Sequence, residues 1–181
     1  MLVLSILVIF ANQKTKIMSQ RTQTLLFFLT AIAMGLLLFA PLAEFSGEFS
    51  VWKFDVYQLD SVSKDSVVPK GSYFVLPVLI LTIVSLLLAF YVMTGLVRAV
   101  EIKQFSRLLT VARINTLVIV AWIATVFAYY IPTISHAMPN MHGLAYKWGI
   151  FMPLVALLLN IAASYGLKKD LVKVRSANRI R

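Results

Sequence analysis

Four long apolar runs constrain the fold of this chain more than any other feature of its sequence. A transmembrane helix needs roughly 20 predominantly apolar residues to cross the hydrocarbon core of a bilayer. The runs are about that long, and they cover approximately residues 24–43, 73–97, 111–134 and 148–167. The sequence therefore predicts an all-α membrane protein, a four-transmembrane-helix bundle that forms one domain over residues 18–181.

The composition of the chain also favours a membrane environment. Hydrophobic residues make up 60% of the chain and charged residues 13%, whereas a soluble domain is about 25% charged. This leaves too little polar surface for a soluble protein of this length. The chain has no cysteine, which excludes disulfide bonds, a thiolate nucleophile and a zinc–thiolate site.

The distribution of basic residues predicts the side of the membrane on which each loop lies. Thirteen of the 17 Lys and Arg residues lie before the first run, in the stretch 98–113, or in the tail 168–181. The remaining four lysines lie in the other two loops, and the first of these loops also contains five acids. Because basic loops are retained in the cytoplasm, both termini are expected there. The net charge of +10 then indicates contact with anionic lipid and not with nucleic acid.

The loop between the first two runs, residues 44–72, is predicted to carry a small β-hairpin outside the membrane. In its stretch FSVWKFDVYQLDSV, Trp52, Phe54 and Val56 fall on one face and the residues between them on the other, which is the period of a half-buried strand. A turn at VSKD and a second strand in SVVPKGSY would complete the hairpin. The hairpin is expected to bury its Trp52 face against the helix ends.

The N-terminal segment MLVLSILVIF is apolar but too short to cross a bilayer. It lacks the basic segment and the small-residue cleavage site of a signal peptide. We interpret residues 1–17 as an upstream extension that is not native, with Met18 as the start. A short interfacial segment is the alternative.

The middle of each predicted span contains no ionisable residue, which argues against a proton-coupled transporter or ion pump formed by one subunit. The polar residues that do occur there are neutral. Asn115, Asn160 and Ser164 are predicted to form hydrogen bonds between helices, each worth about 1 kcal/mol. An amide at Asn160 in particular should find a partner across the bundle.

The short loop SHAMPNMHG contains both histidines of the chain. Imidazole and thioether groups suit Cu(I), so His136, Met138, Met141 and His142 form a candidate metal site. The simpler interpretation is a polar turn around Pro139.

The C-terminal tail KKDLVKVRSANRIR is the densest cluster of charge in the chain. Its basic residues are candidates for docking to lipid or to a protein partner; they include Lys168, Lys169, Arg175, Arg179 and Arg181. Anionic lipid is the favoured ligand because the tail directly follows a span. An acidic or nucleic-acid-associated partner is the alternative.

Two segments of the chain carry a family resemblance. The first is a Gln-Arg-x-Gln motif directly before the first span, matched by Met18, Gln20, Arg21 and Gln23. The second lies in the tail and is matched by Lys169, Asp170, Val174, Arg175, Ser176, Arg179 and Arg181. The chain resembles the small four-span membrane proteins of Bacteroidota grouped as a domain of unknown function, DUF four-two-nine-three. The resemblance implies a bacterial inner-membrane protein but no particular activity or ligand.

The sequence contains none of the motifs of common catalytic or nucleotide-binding sites. We therefore expect a protein that is not an enzyme and has no cofactor. The first hypothesis is an accessory or scaffold subunit of a membrane complex, with a membrane-protein partner or a second copy of itself. The second is a small transporter or channel subunit, in which Asn115, Thr125 and Asn160 of several copies line a path. A metal-handling protein is the weakest alternative.

Overall fold

The computed structural model describes residues 21–47, 51–61, 72–98, 102–137 and 141–179. These residues form a mostly helical protein with a small antiparallel sheet. The elements are α1, described over Arg21–Leu36, β1 (Ala43–Gly47), β2 (Val51–Phe54), β3 (Leu59–Ser61), α2 (Ser72–Arg98), α3 (Ile102–Ala124), α4 (Ile131–Ala137), β4 (Met141–Tyr146) and α5 (Met152–Arg179). A π-helical turn (Thr125–Tyr130) joins α3 to α4, and a 3-10 turn (Trp148–Phe151) precedes α5.

Three of the described helices are long and apolar enough to cross a membrane. The first, Val75–Arg98, lies within α2. The second, Lys103–Ala137, runs through α3, the π-helical turn and α4, and the third, Trp148–Lys173, comprises the 3-10 turn and most of α5. Helix α1 is a shorter apolar helix. Helix α1 ends at Leu36, seven residues before the end of the first predicted span at residue 43. Pro41 lacks the amide proton that a continuing helix needs, and Ala43 already belongs to β1.

Helix α3 begins before the apolar run that predicted it, and helix α5 ends after its own run. The stretch 98–113 was predicted to be largely a connecting loop, but α3 begins at Ile102. Its first turns bury Phe105, Leu108 and Ala112, which are spaced to share one face. Likewise, α5 continues to Arg179, with Leu167 and Leu171 buried one turn apart. The basic residues that the structure describes in both segments therefore lie on helices.

The sheet has four antiparallel strands in the order β3-β2-β1-β4. The alternation predicted for β2 is present, since Trp52 and Phe54 are buried while Val51 and Lys53 are exposed. The predicted single strand is wrong in length, because it ends at Phe54 and turns back into β3. In that turn, the amide of Asp55 donates to the carbonyl of Gln58 at 2.9 Å.

Strands β1 and β4 were not predicted, and they connect distant parts of the chain. Phe45 pairs with Trp52 on one side and with Leu144 on the other. The sheet thus ties the segment after α1 to the segment between α4 and α5. We call this the sheet end of the molecule.

The opposite end is lined by the basic residues Arg21, Arg98, Lys103 and Lys168, and we call it the basic end. A separate cluster of buried side chains, including Phe27, Leu96, Phe105, Leu108 and Leu167, holds the helices together there. The larger core lies beneath the sheet and includes Phe45, Trp52, Phe54, Trp122 and Tyr130.

Several predictions fall on residues outside the described ranges. These are the interpretation of residues 1–17 and of Met18, the second hairpin strand over 66–71, Met138 and Arg181. The last two residues of that strand, Ser72 and Tyr73, belong to α2.

Candidate functional sites

A network of hydrogen bonds between neutral side chains joins α2, α3 and α5 in the interior. The hydroxyl of Ser85 donates to Oδ1 of Asn115 at 2.8 Å, and Nδ2 of Asn115 donates to Oδ1 of Asn160 at 3.2 Å. Nδ2 of Asn160 in turn donates to the carbonyl of Ala112 at 3.0 Å and to Oγ1 of Thr116 at 2.8 Å. Ser85, Asn115 and Asn160 are fully buried.

The chemistry of this network is structural. Each amide oxygen accepts one of these bonds, and the side-chain nitrogens donate to the neighbouring helix. Polar groups that would be costly in an apolar interior therefore satisfy one another. None of the network's side chains is ionisable, so the network itself contains no general base to activate its hydroxyl groups.

A second buried polar contact links α2 and α3 nearer the sheet. The indole Nε1 of Trp122 donates to Oγ1 of Thr82 at 2.8 Å, and that hydroxyl donates to the carbonyl of Val78 at 2.8 Å. No pattern in the sequence predicts this pair directly. Thr82 and Ser85 are three residues apart on one face of α2, and that spacing was the available signal.

Ser164 lies one turn beyond Asn160 on α5 but does not join the network. Its hydroxyl oxygen is buried and has no hydrogen-bond partner among the described residues. The structure thus brings two of the three predicted interhelical residues together and leaves the third apart.

The basic end carries a contact between the two segments that support the family resemblance. Nε2 of Gln23 on α1 donates to Oδ2 of Asp170 on α5 at 2.7 Å, and Gln23 is 3% exposed. A Cβ at Gly166 would lie 3.2 Å from the Gln23 side chain, so a glycine there leaves room for it. The contact holds the first described turn of α1 against the basic tail.

The tail residues around this contact face outward. Lys168 and Lys169 are exposed on α5, one and two residues before Asp170. Arg175 and Arg179 also belong to α5. The described tail therefore continues α5 as a helix, in which Lys168 and Lys169 are exposed while Leu171 is buried in the cluster at the basic end.

The predicted metal residues are spread over two elements. His136 is exposed near the end of α4, and His142 is exposed on β4, next to Met141. Within the ranges that the structure describes, no group of three or more His, Asp or Glu residues is arranged to hold a metal ion.

Among the described residues, one ion pair joins charged groups at the sheet end. Nζ of Lys147 lies 2.8 Å from Oε2 of Glu44, which joins β1 to the segment before α5. Burial raises the pKa of Asp55, and the nearby carboxylate of Asp60 raises it further. We see no arrangement of acids here that supports catalysis among the described residues.

Comparison with known proteins places the chain in a family without adding an activity. No curated protein matches it significantly. The model of one family matches residues 19–180, which is nearly the whole chain. The chain accordingly belongs to the family described as "Domain of unknown function (DUF4293)".

Proposed function

We propose that this chain is a multi-pass protein of the bacterial inner membrane, with four spans and both termini in the cytoplasm. The three long apolar helices support this placement. The described part of α1 is roughly 24 Å long at about 1.5 Å per residue, and an apolar turn follows it. The basic end would be cytoplasmic, because the exposed Arg and Lys side chains concentrate there.

Single cysteines can test this topology without background, because the chain has none of its own. Lys53 on β2 and Lys173 on α5 are exposed at opposite ends of the molecule. We expect a membrane-impermeant maleimide to label K53C in intact spheroplasts, and K173C only after permeabilisation. Labelling of K173C in intact spheroplasts would contradict the proposed orientation.

Within the membrane, the proposed role is that of a non-enzymatic accessory or scaffold subunit. The observation that carries this role is the Ser85–Asn115–Asn160 network, because it uses the buried polar groups to hold helices together. A rigid bundle of this kind presents an apolar outer face to other membrane helices and a basic helical tail to the cytoplasm.

Affinity purification in mild detergent, after crosslinking in cells, tests the scaffold role. We expect a membrane protein to be recovered in a fixed ratio to this chain. A double variant, K168Q/K169Q, tests whether the tail binds a protein partner or lipid. Loss of the partner from this variant would assign the tail to protein docking, whereas unchanged recovery would leave it to lipid. A chain recovered alone and monomeric would contradict the scaffold role.

The burial of the two asparagines weakens the basis for a transporter or channel subunit. Asn115 and Asn160 are enclosed within one copy of the chain and bonded to each other. They are therefore unavailable to line a path between copies.

A further inference from the structure

A groove of about 480 Å³ lies between α1 and α2 at the basic end. It is lined by residues at helical spacing on both helices, namely Arg21, Thr24, Leu25 and Phe28 on α1 and Met93, Leu96 and Val97 on α2. Its volume falls within the range of about 300–1,000 Å³ that is typical of small-ligand sites. Six of its seven lining residues are uncharged, and the seventh is an arginine.

The walls of the groove suit a hydrocarbon chain. Leu96 is 2% exposed and forms the floor, while Phe28 is 48% exposed and Val97 is 73% exposed. In water, so much apolar surface would be unfavourable. In the proposed membrane placement, on which this inference rests, the same surface faces acyl chains.

Packing between the two helices places the groove at the basic end. Nearer the sheet, a Cβ at Gly35 of α1 would lie 3.4 Å from the Leu86 side chain of α2, so the helices are in close contact there. Leu25 is ten residues before Gly35, or about 15 Å along the helix. At the level of Leu25, bulky side chains line both helices, and the groove lies between the two helices.

Charge at the groove's mouth identifies the ligand. Arg21 lines the groove at the start of α1, is exposed, and forms no ion pair with any described acid. Arg98 follows Val97 at the end of α2. A guanidinium group binds a phosphate through two parallel hydrogen bonds, and basic pockets between transmembrane helices on the cytoplasmic side bind anionic headgroups. We propose that this groove binds one anionic phospholipid, with an acyl chain against Leu96 and Phe28 and its phosphate on Arg21.

Native mass spectrometry of the full chain in mild detergent tests this site, with phosphatidylglycerol and phosphatidylcholine as probes. We expect one phosphatidylglycerol to be retained in preference to phosphatidylcholine. Substitution R21Q should reduce the retention of phosphatidylglycerol about five-fold, because one basic residue near the surface accounts for a change of that order. Phosphatidylcholine should lose less, because the choline cation beside its phosphate already weakens the attraction to Arg21. R21K should keep part of the preference.

Two controls separate this site from general effects of charge and of membrane placement. K173Q removes the same charge from the tail, and it should leave phosphatidylglycerol retention unchanged. M93W should fill the groove and lower the retention of both lipids, with folding checked by circular dichroism. Equal losses in R21Q and K173Q, or no preference for phosphatidylglycerol, would overturn the proposal. Carbonate extraction of the same variants reports membrane integration separately, so failure of the site is distinguishable from failure of the membrane placement.

Discussion

Replacing Asn160 with leucine should lower the free energy of unfolding by about 2–3 kcal/mol. The substitution removes three interhelical hydrogen bonds, one from Asn115 and two to α3. In membrane proteins each such bond is worth about 0.6 kcal/mol on average and up to about 1.7. The larger part of the loss comes from Asn115, because its Nδ2 would remain buried without its acceptor. Titration with sodium dodecyl sulfate in mixed micelles, followed by circular dichroism, measures the change.

A double-mutant cycle isolates the contact between the two asparagines. We expect N115A and N160A together to cost about 0.5–2 kcal/mol less than the sum of the single substitutions, because the two residues share one bond. Thr110 provides the matched control, since its exposed hydroxyl bonds only to the carbonyl of Ser106 on its own helix at 3.2 Å. T110V should change stability by less than about 0.5 kcal/mol. Additive effects of N115A and N160A would show that the network is not energetically coupled.

The sequence predicted the helical part of the fold well because the length and apolarity of a run are local properties. The helix over 72–98 matches the run that predicted it to within a residue or two. The start of α3 was not predicted because Lys103 and Arg107 interrupt the apolar run. Phe105 and Leu108 are nevertheless buried on one face of this part of the helix. A search for runs of apolar residues does not detect an amphipathic extension of this kind.

The sheet was predicted only where one strand carries its own signal. The alternation in β2 can be recognised in the sequence because one face of the strand is buried. The pairing of β1 with β4, in contrast, depends on the fold of the whole chain. Glu44 pairs with Ala145 across about a hundred residues of sequence. No local pattern specifies such a partner, since strand pairing depends on the helices that bring the segments together. Likewise, no local pattern predicts the contact between Gln23 and Asp170, because the fold brings these two distant residues together.

A methyl group added at Gly149 is expected to destabilise the protein by about 2–3 kcal/mol, as overpacking of a rigid site does. Gly149 lies in the 3-10 turn before α5, where a Cβ would lie 2.5 Å from the carbonyl oxygen of Pro41 and 2.9 Å from Cβ of Ala40. The obstructing atoms belong to backbone and to a short side chain, so no rotamer change relieves the clash. The turn after α1 and the start of α5 must therefore move apart.

Gly143 on β4 supplies a matched control for this substitution, because a Cβ there would have no heavy atom within 4 Å. G143A should leave stability unchanged or raise it slightly, since alanine restricts the unfolded chain more than glycine does. The destabilisation caused by G149A should be greatest at the sheet end, where the amide of Lys147 donates to the carbonyl of Leu42 at 3.0 Å. Hydrogen exchange should therefore become faster at β1 and β4 in G149A while the Asn115–Asn160 region keeps its protection. If G149A and G143A behaved alike in both measurements, the close approach of the turn after α1 to the 3-10 turn before α5 would not be what holds the sheet on the helices.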